Sequence, residues 1–330
     1  MPPAMRSPKG LLLLLLAVLA LAYPFASSSG YHLNVLTNAL FFTVLAMSLN
    51  VIYGYAGLLS FAQVGFWGVG GYVGALTVTR LGGSVWDGML AAGAVALLLA
   101  IAISAVSLRL SNHAFVIVSI AFTLLLQLLA QEWIDVTNGP MGIPGLPAPE
   151  IVLGPLYFAF DDRTSQYFLA LAFAAATLAA IGLVLSSRVG RTLRMLKHDE
   201  TLARSLGVRT TRWKVFAAGF AAVVAAMAGA LYVFYLSIVD PTIFDVYYTQ
   251  LMLVIVIVGG LGSFWPMIAA GFVLVVLPEV LRTSDEVRMI YYGVVLIAGV
   301  LFFPRGFAGL LAARRRRHSS GGRLGQPGSI

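Results

Sequence analysis

The stretch "GLLLLLLAVLALAYPFASSSGYHLNVLTNALFFTVLAMSLNVIYGYAGLLSFAQVGFWGVGGYVGALTVT", residues 10–79, contains no Asp, Glu, Lys or Arg. A charge at the centre of a bilayer costs about 2.5–3.5 kcal/mol on insertion scales, so an uncharged run this long is what burial in hydrocarbon demands. Outward from it the pattern repeats, with further uncharged gaps at 164–187, 215–239, 246–278 and 289–304. Hydrophobic residues make up 60% of the chain and charged ones 10%, and the mean hydropathy is +0.92. No water-soluble core absorbs so much apolar surface. With spans of about 20 residues, ten would take about 200 positions and leave no room for a separate soluble catalytic domain. The fold expected is all-α, a polytopic transmembrane helix bundle of about ten spans.

The net charge of +8 belongs to the loops. Residues 187–214 carry eight Lys or Arg against Asp199 and Glu200, and the segment from Arg305 carries six Arg and no acid. Both read as cytoplasmic by the positive-inside rule. The run Arg314–Arg317, which could otherwise bind RNA or anionic lipid, is read as a positive-inside anchor following a hydrophobic span. Candidate helices fall near 10–28, 33–53, 62–80, 86–108, 113–134 and 166–186, then 215–238, 244–260, 264–281 and 287–304. This parity places both termini inside and the non-basic segment 135–162 outside. Arg6, Lys9, the run Leu11–Ala22 and the small residues Ala26–Ser29 also fit a cleavable signal peptide, whereas a retained first helix makes the parity work. The membrane domain is taken as 1–313 with the basic loop 187–214, and 314–330 as an Arg-rich disordered cytoplasmic tail.

"GGLGSFWP" at 259–266 is expected to be a tight turn, because a single helix over 244–281 would be too long for the bilayer. "LGGSVWDGMLAAG" at 81–93 resembles "LGSFWPMIAAG" at 261–271. The parity puts these segments on opposite sides, the arrangement of an inverted repeat.

Chemistry is sparse. The lysines are Lys9, Lys197 and Lys214, and none sits in a phosphate-binding loop. There is no cysteine, and His32, His113, His198 and His318 lack metal-ligand spacing. Neither a metal, a cofactor nor an enzymatic activity is expected. The acids map to loops or helix ends, which argues against an ion-coupled carrier. Neutral polar groups remain inside the membrane: Asn50, Ser60, Gln63, Gln127 and Gln131. Ser60 and Gln63 stand in a Gly-rich approach to the third helix, where irregular backbone is tolerated if it lines a cavity. Gly70 and Gly74 form a G-x-x-x-G pair suited to close helix packing. In the basic loop Asp199 is a plausible N-cap, Glu200 favours the positive helix start, Leu202, Ala203 and Leu206 make an apolar stripe, and Gly207 suits a left-handed stop. This short amphipathic helix either lies on lipid headgroups or plugs into a cytoplasmic partner.

Three segments carry a family resemblance: "SLNVIYGYAGLLSFAQVGFWGVGGYVGAL" at 48–76, "GRTLRMLKHDETLARSLGVRTTRWKVFAAGFAAVVAAMAGAL" at 190–231, and "GGLGSFWPMIAAGF" at 259–272. Over about residues 30–310 the chain resembles the LivM-type permease subunits of ATP-driven branched-chain amino-acid importers. The resemblance implies a bacterial inner-membrane protein that pairs with a second homologous permease, docks two ATP-binding subunits and receives substrate from an external binding protein. Asp199, Glu200, Ala203 and Gly207 match the coupling segment, which Leu202 and Leu206 complete. Gly57, Ser60 and Gly65 match the early signature, and with Asn50 and Gln63 they are the candidates for the substrate pathway. Branched-chain or similar hydrophobic amino acids are the expected cargo. Urea or short amides are the alternative within the same machinery, and a stand-alone facilitator or secondary carrier is the alternative outside it.

Overall fold

The computed structural model describes Pro24, residues 30–107, 112–153 and 156–280, and separate helical positions between Val287 and Ile297. The expected first span at 10–28 and the tail at 314–330 lie outside the described residues, as does most of the span at 287–304. Among the described residues the helices are α1 (Gly30–Leu49), α2 (Ala62–Leu81), α3 (Val85–Ser107), α4 (Asn112–Glu132), the one-turn α5 (Ile134–Thr137), α6 (Arg163–Ser186), α7 (Arg188–His198), α8 (Glu200–Ser205), α9 (Thr210–Leu236), α10 (Val246–Gly259) and α11 (Trp265–Val280). The chain is an all-α polytopic membrane bundle. Among the described residues six helical segments are long and apolar enough to cross a membrane, and the apolar part of α11 is shorter.

α2 is not among the six, because Gln63 and its glycines lower its hydropathy; it is the helix that others sheathe. Its close neighbours α9 and α3 approach backbone to backbone. A Cβ at Gly70 would collide with the Ala226 carbonyl, and one at Gly229 with the Trp67 carbonyl. Only small residues permit this distance, the usual means of tight helix association in lipid. α1 and α9 bury 83% and 72% of their apolar windows, whereas α3, α4 and α6 bury 28%, 22% and 22%. The three outer helices therefore turn leucine and isoleucine outward, among them Leu98, Ile117, Leu124, Leu128 and Leu183. That surface suits hydrocarbon or another apolar helix, and not water.

The bundle has two chemically distinct ends. At one, the Arg80 guanidinium donates to the carbonyls of Asp135 and Val136, and Trp86 Nε1 donates to Glu150 O at 2.8 Å. At the other, the basic helix α7 meets the end of α1 and the turn after α10 through Lys197 and Asn50. The echoing segments 81–93 and 261–271 begin at these opposite ends. Each makes a helix-to-helix turn with a glycine at positive φ, Gly82 at 65° and Gly262 at 77°.

Two features depart from the sequence reading. The non-basic segment is not wholly irregular: β1 (Ile143–Pro144) pairs antiparallel with β4 (Ile238–Val239) in the register Ile143↔Val239, and β2 (Glu150–Leu153) with β3 (Leu156–Ala159) in the register Glu150↔Ala159. These ladders satisfy backbone groups that short connecting segments would otherwise leave unpaired. The basic loop likewise begins with a full helix, α7, whose Leu193 and Leu196 are buried. Its basic residues mask an apolar stripe on the opposite face.

Candidate functional site

α1 ends by widening into a π-helix over Asn50–Tyr55, a local irregularity that often marks a functional position in an otherwise regular helix. The Asn50 side chain closes this end against the turn after α10. Its Nδ2 donates to Ser263 O at 2.8 Å and its Oδ1 accepts from Gly262 N at 2.9 Å. Both faces of the amide are thus engaged by one turn, so Asn50 acts here as a clamp. A Cβ at Gly54 would strike Asn50 Oδ1 and Gly262 N, which explains glycine at that position.

Helix α7 grips the same π-segment. Lys197 Nζ donates to the Gly54 carbonyl at 2.7 Å, and the Arg194 guanidinium lies 5.8 Å from the centroid of the Tyr55 ring. Arg194 is itself anchored by donating to Leu185 O at 2.8 Å and Gly190 O at 3.1 Å. Gly57, at φ 79°, lets the chain pass under Lys197, whose Cα and Cγ would be 3.3 and 3.2 Å from any Cβ there. Burial pushes the Lys197 ammonium below the ordinary lysine value.

Beside this junction lies a small buried cleft between α2, α3, α4 and α9, lined in part by Ser60, Gln63, Ser104, Ser107 and Ser119. Gln63 Oε1 accepts from Ser48 Oγ at 3.3 Å, while Gln63 Nε2 and Ser107 Oγ have no protein partner. Ser60 Oγ accepts from Ala62 N, the first amide of α2, at 3.3 Å. Gly65 faces α4, where a Cβ would sit 3.0 Å from Thr123 Oγ1. Of the sequence candidates, Ser60 and Gln63 share the cleft, Asn50 and Gly57 belong to the junction, and Gly65 packs helices. Gln127 is half-buried and Gln131 exposed on α4. Ser104, Ser107 and Ser119 escaped the sequence reading because a serine in an apolar span carries no sign of what it faces.

The third part is α8. Asp199 caps it by accepting from Leu202 N at 2.9 Å, and Gly207 ends it at φ 80°, with Val208 N donating back to Ala203 O at 3.1 Å. Ala203 is buried, whereas Leu202 and Leu206 are 55% and 67% exposed. Glu200 ties α8 to α9 through Lys214 Nζ at 2.6 Å and meets Arg204 at 3.2 Å. Burial would raise the Glu200 carboxyl, but the hydrogen bond and charge of Lys214, with Thr210 and Arg204, bring it below its usual value. The site thus contains a rigid, outward-facing apolar knob at the basic end, connected to membrane helices on two sides. Among the described residues no group of His, Asp and Glu could hold a metal ion.

A lipid-embedded bundle with neutral polar side chains inside and a capped knob at its basic end defines a membrane transport permease. A family model described as the permease component of the branched-chain amino acid transport system matches residues 31–303, and the chain belongs to that family. It is 30% identical over 315 residues to the high-affinity branched-chain amino acid transport system permease protein LivM of Salmonella typhimurium strain LT2, covering 90% of this chain and 74% of that one. The LivM protein of Escherichia coli K12 matches with the same identity and coverage. The LivH permease of the same Escherichia coli strain is 25% identical over 282 residues, 81% of this chain and 91% of its own.

Proposed function

We propose that the chain is the transmembrane permease subunit of an ATP-binding-cassette importer for branched-chain or similar hydrophobic amino acids. It works in a bacterial inner membrane beside a second homologous permease, with both termini cytoplasmic. Two ATP-binding subunits dock on the basic end, and an external binding protein delivers substrate to the end that carries β1–β4. The observation that carries this reading is α8. A helix capped at Asp199 and stopped at Gly207 holds Leu202 and Leu206 away from the protein. Burying two leucines in a partner's groove is worth about 1.5–3 kcal/mol each, and the helix-in-groove mode needs this kind of apolar presentation. The similarity to both LivM and LivH supports a paired permease, and the printed names of those relatives support the cargo.

The pathway lies beside Ser60 and Gln63, the polar groups that share the cleft, with Asn50, Gly57 and Gly65 shaping the backbone around it. The test is reconstitution. In liposomes holding the full set of subunits, leucine uptake requires ATP and the binding protein, and this chain alone neither hydrolyses ATP nor exchanges leucine. Leucine counterflow by the chain alone would instead establish a stand-alone carrier.

A further inference from the structure

Two routes lead from α8 into the membrane, and they differ in kind. Through Glu200 and Lys214 the knob is tied to α9, a regular helix packed backbone against backbone on α2 at Gly70 and Gly229. Through α7, which runs into the Asp199 cap with no linker, the knob reaches the π-segment at the end of α1. This second route ends on an irregular turn of helix that is itself clamped to another irregular turn, residues 260–263, by Asn50. Irregular turns of this kind have alternative hydrogen-bonding arrangements that a regular helix lacks.

Lys197 holds the route together. Among the described residues no carboxylate is within ion-pair distance of it; its ammonium instead donates to the neutral Gly54 carbonyl at 2.7 Å. Gly262 comes within 3.6 Å of the same nitrogen, measured from where its Cβ would be. One cation thus touches α1 and stands beside the turn joining α10 to α11, while its backbone rides on Gly57. A charge-assisted hydrogen bond to a buried carbonyl is short and strong. Lys197 as a whole residue is exposed, and it is the direction of its ammonium, turned onto the Gly54 carbonyl, that sets it apart from a lysine whose head simply extends into water.

We propose that Lys197 is a positioning residue for transport, the strut that passes displacement of α8 to the π-segment of α1 and, through Asn50, to the 260–263 turn. The proposal rests on the importer reading above and deepens it. Arg194 over Tyr55 guides the same contact and Lys197 bears it, since of these two side chains it is Lys197 that hydrogen-bonds to the π-segment backbone.

Because the chain has no cysteine, the strut can be removed and rebuilt in the complete transporter. Lys197→Cys removes the ammonium, and 2-bromoethylamine restores it when the thiolate displaces bromide and forms a carbon–sulfur bond, with the extent read by mass spectrometry. The parent complex treated identically controls for thiols on other subunits. In proteoliposomes the Cys variant should keep its ATP-binding subunits and hydrolyse ATP, while leucine carried per ATP falls about tenfold, within the range of site-to-site couplings. Aminoethylation should restore most of that ratio. An unchanged ratio in the Cys variant, or a loss that full aminoethylation leaves in place, overturns the proposal. A second measurement stands apart from transport. In the purified chain, Lys197→Met should speed hydrogen exchange of amides 54–58 and 260–263 and leave the centre of α9 unchanged. If the parent complex shows no ATP-driven uptake, the importer reading fails by itself; if exchange at 54–58 is unmoved, the strut fails.

Discussion

A methyl group added at Gly70 would enter the van der Waals shell of the Ala226 carbonyl oxygen, and backbone cannot step aside as a flexible side chain can. Gly70→Ala should therefore separate α2 from α9 at a cost of about 1–3 kcal/mol, the usual price of overpacking. Gly93→Ala is the matched control, since its new Cβ would stand 3.4 Å from Met227 Cγ, an ordinary contact. Thermal unfolding of the two variants in detergent checks this, with a lowered midpoint only for Gly70→Ala. The G-x-x-x-G spacing of Gly70 and Gly74 was legible in the sequence, as was the stop at Gly207. What they pack against was not. Ala226 and Gly229 sit in "AAVVAAMAGAL", where small residues are too frequent for any one of them to signal a backbone contact. Asn50 was legible only as a polar residue in an apolar run, because its partners Gly262 and Ser263 lie more than two hundred positions away.

Among the elements, α8 was the most completely readable. Its cap and stop are local chemistry and took the places that the sequence assigned, while the expected stripe divides, with Ala203 buried against the protein and Leu202 and Leu206 facing out. If the stripe fills a groove on an ATP-binding subunit, Leu202→Asp with Leu206→Asp puts unpaired charge there at a cost of several kcal/mol. The double variant should still insert, pair with the second permease and bind the loaded external protein, while losing its ATP-binding subunits in detergent and its uptake in vesicles. Copurification that matches the parent, with uptake to match, would leave α8 no role in docking. Helix α7 was harder to read. Its Val189, Leu193 and Leu196 fall on one face, yet Arg188, Arg191 and Arg194 dominate a scan for charge and give the whole segment the look of a solvated loop. The strands β1–β4 were illegible for a different reason: β1 and β4 are two residues each and pair across almost a hundred positions, so nothing in either carries a strand period.

For the whole molecule, the long apolar helices between 30 and 280 run through stretches poor in charge, and the two ends of the bundle sort the chain into a basic face and a non-basic one. This predicts sidedness. Single cysteines in place of Ser165, at the start of α6, and Ser205, in α8, should behave oppositely toward an impermeant thiol reagent in intact cells. Position 165 should label from outside, and position 205 only after the membrane is permeabilised. Labelling of 205 in intact cells would reverse the assigned orientation and with it the docking face.

By itself the sequence determined that this is a membrane protein, where its long apolar helices between 30 and 280 run, how the cap and stop at 199–207 are built, and which family it belongs to. These follow from local causes: hydrocarbon excludes charge over about 20 residues at a time, and caps and stops act within one helical turn. Only the tertiary structure decided that α2, the least hydrophobic of the long helices, lies at the centre, and that the Asn50 amide closes on the 260–263 turn. It alone brought Lys197 to the Gly54 carbonyl. Those contacts join residues far apart in the chain through glycines and single polar atoms. Their energy depends on distance in space, which the order of amino acids does not display.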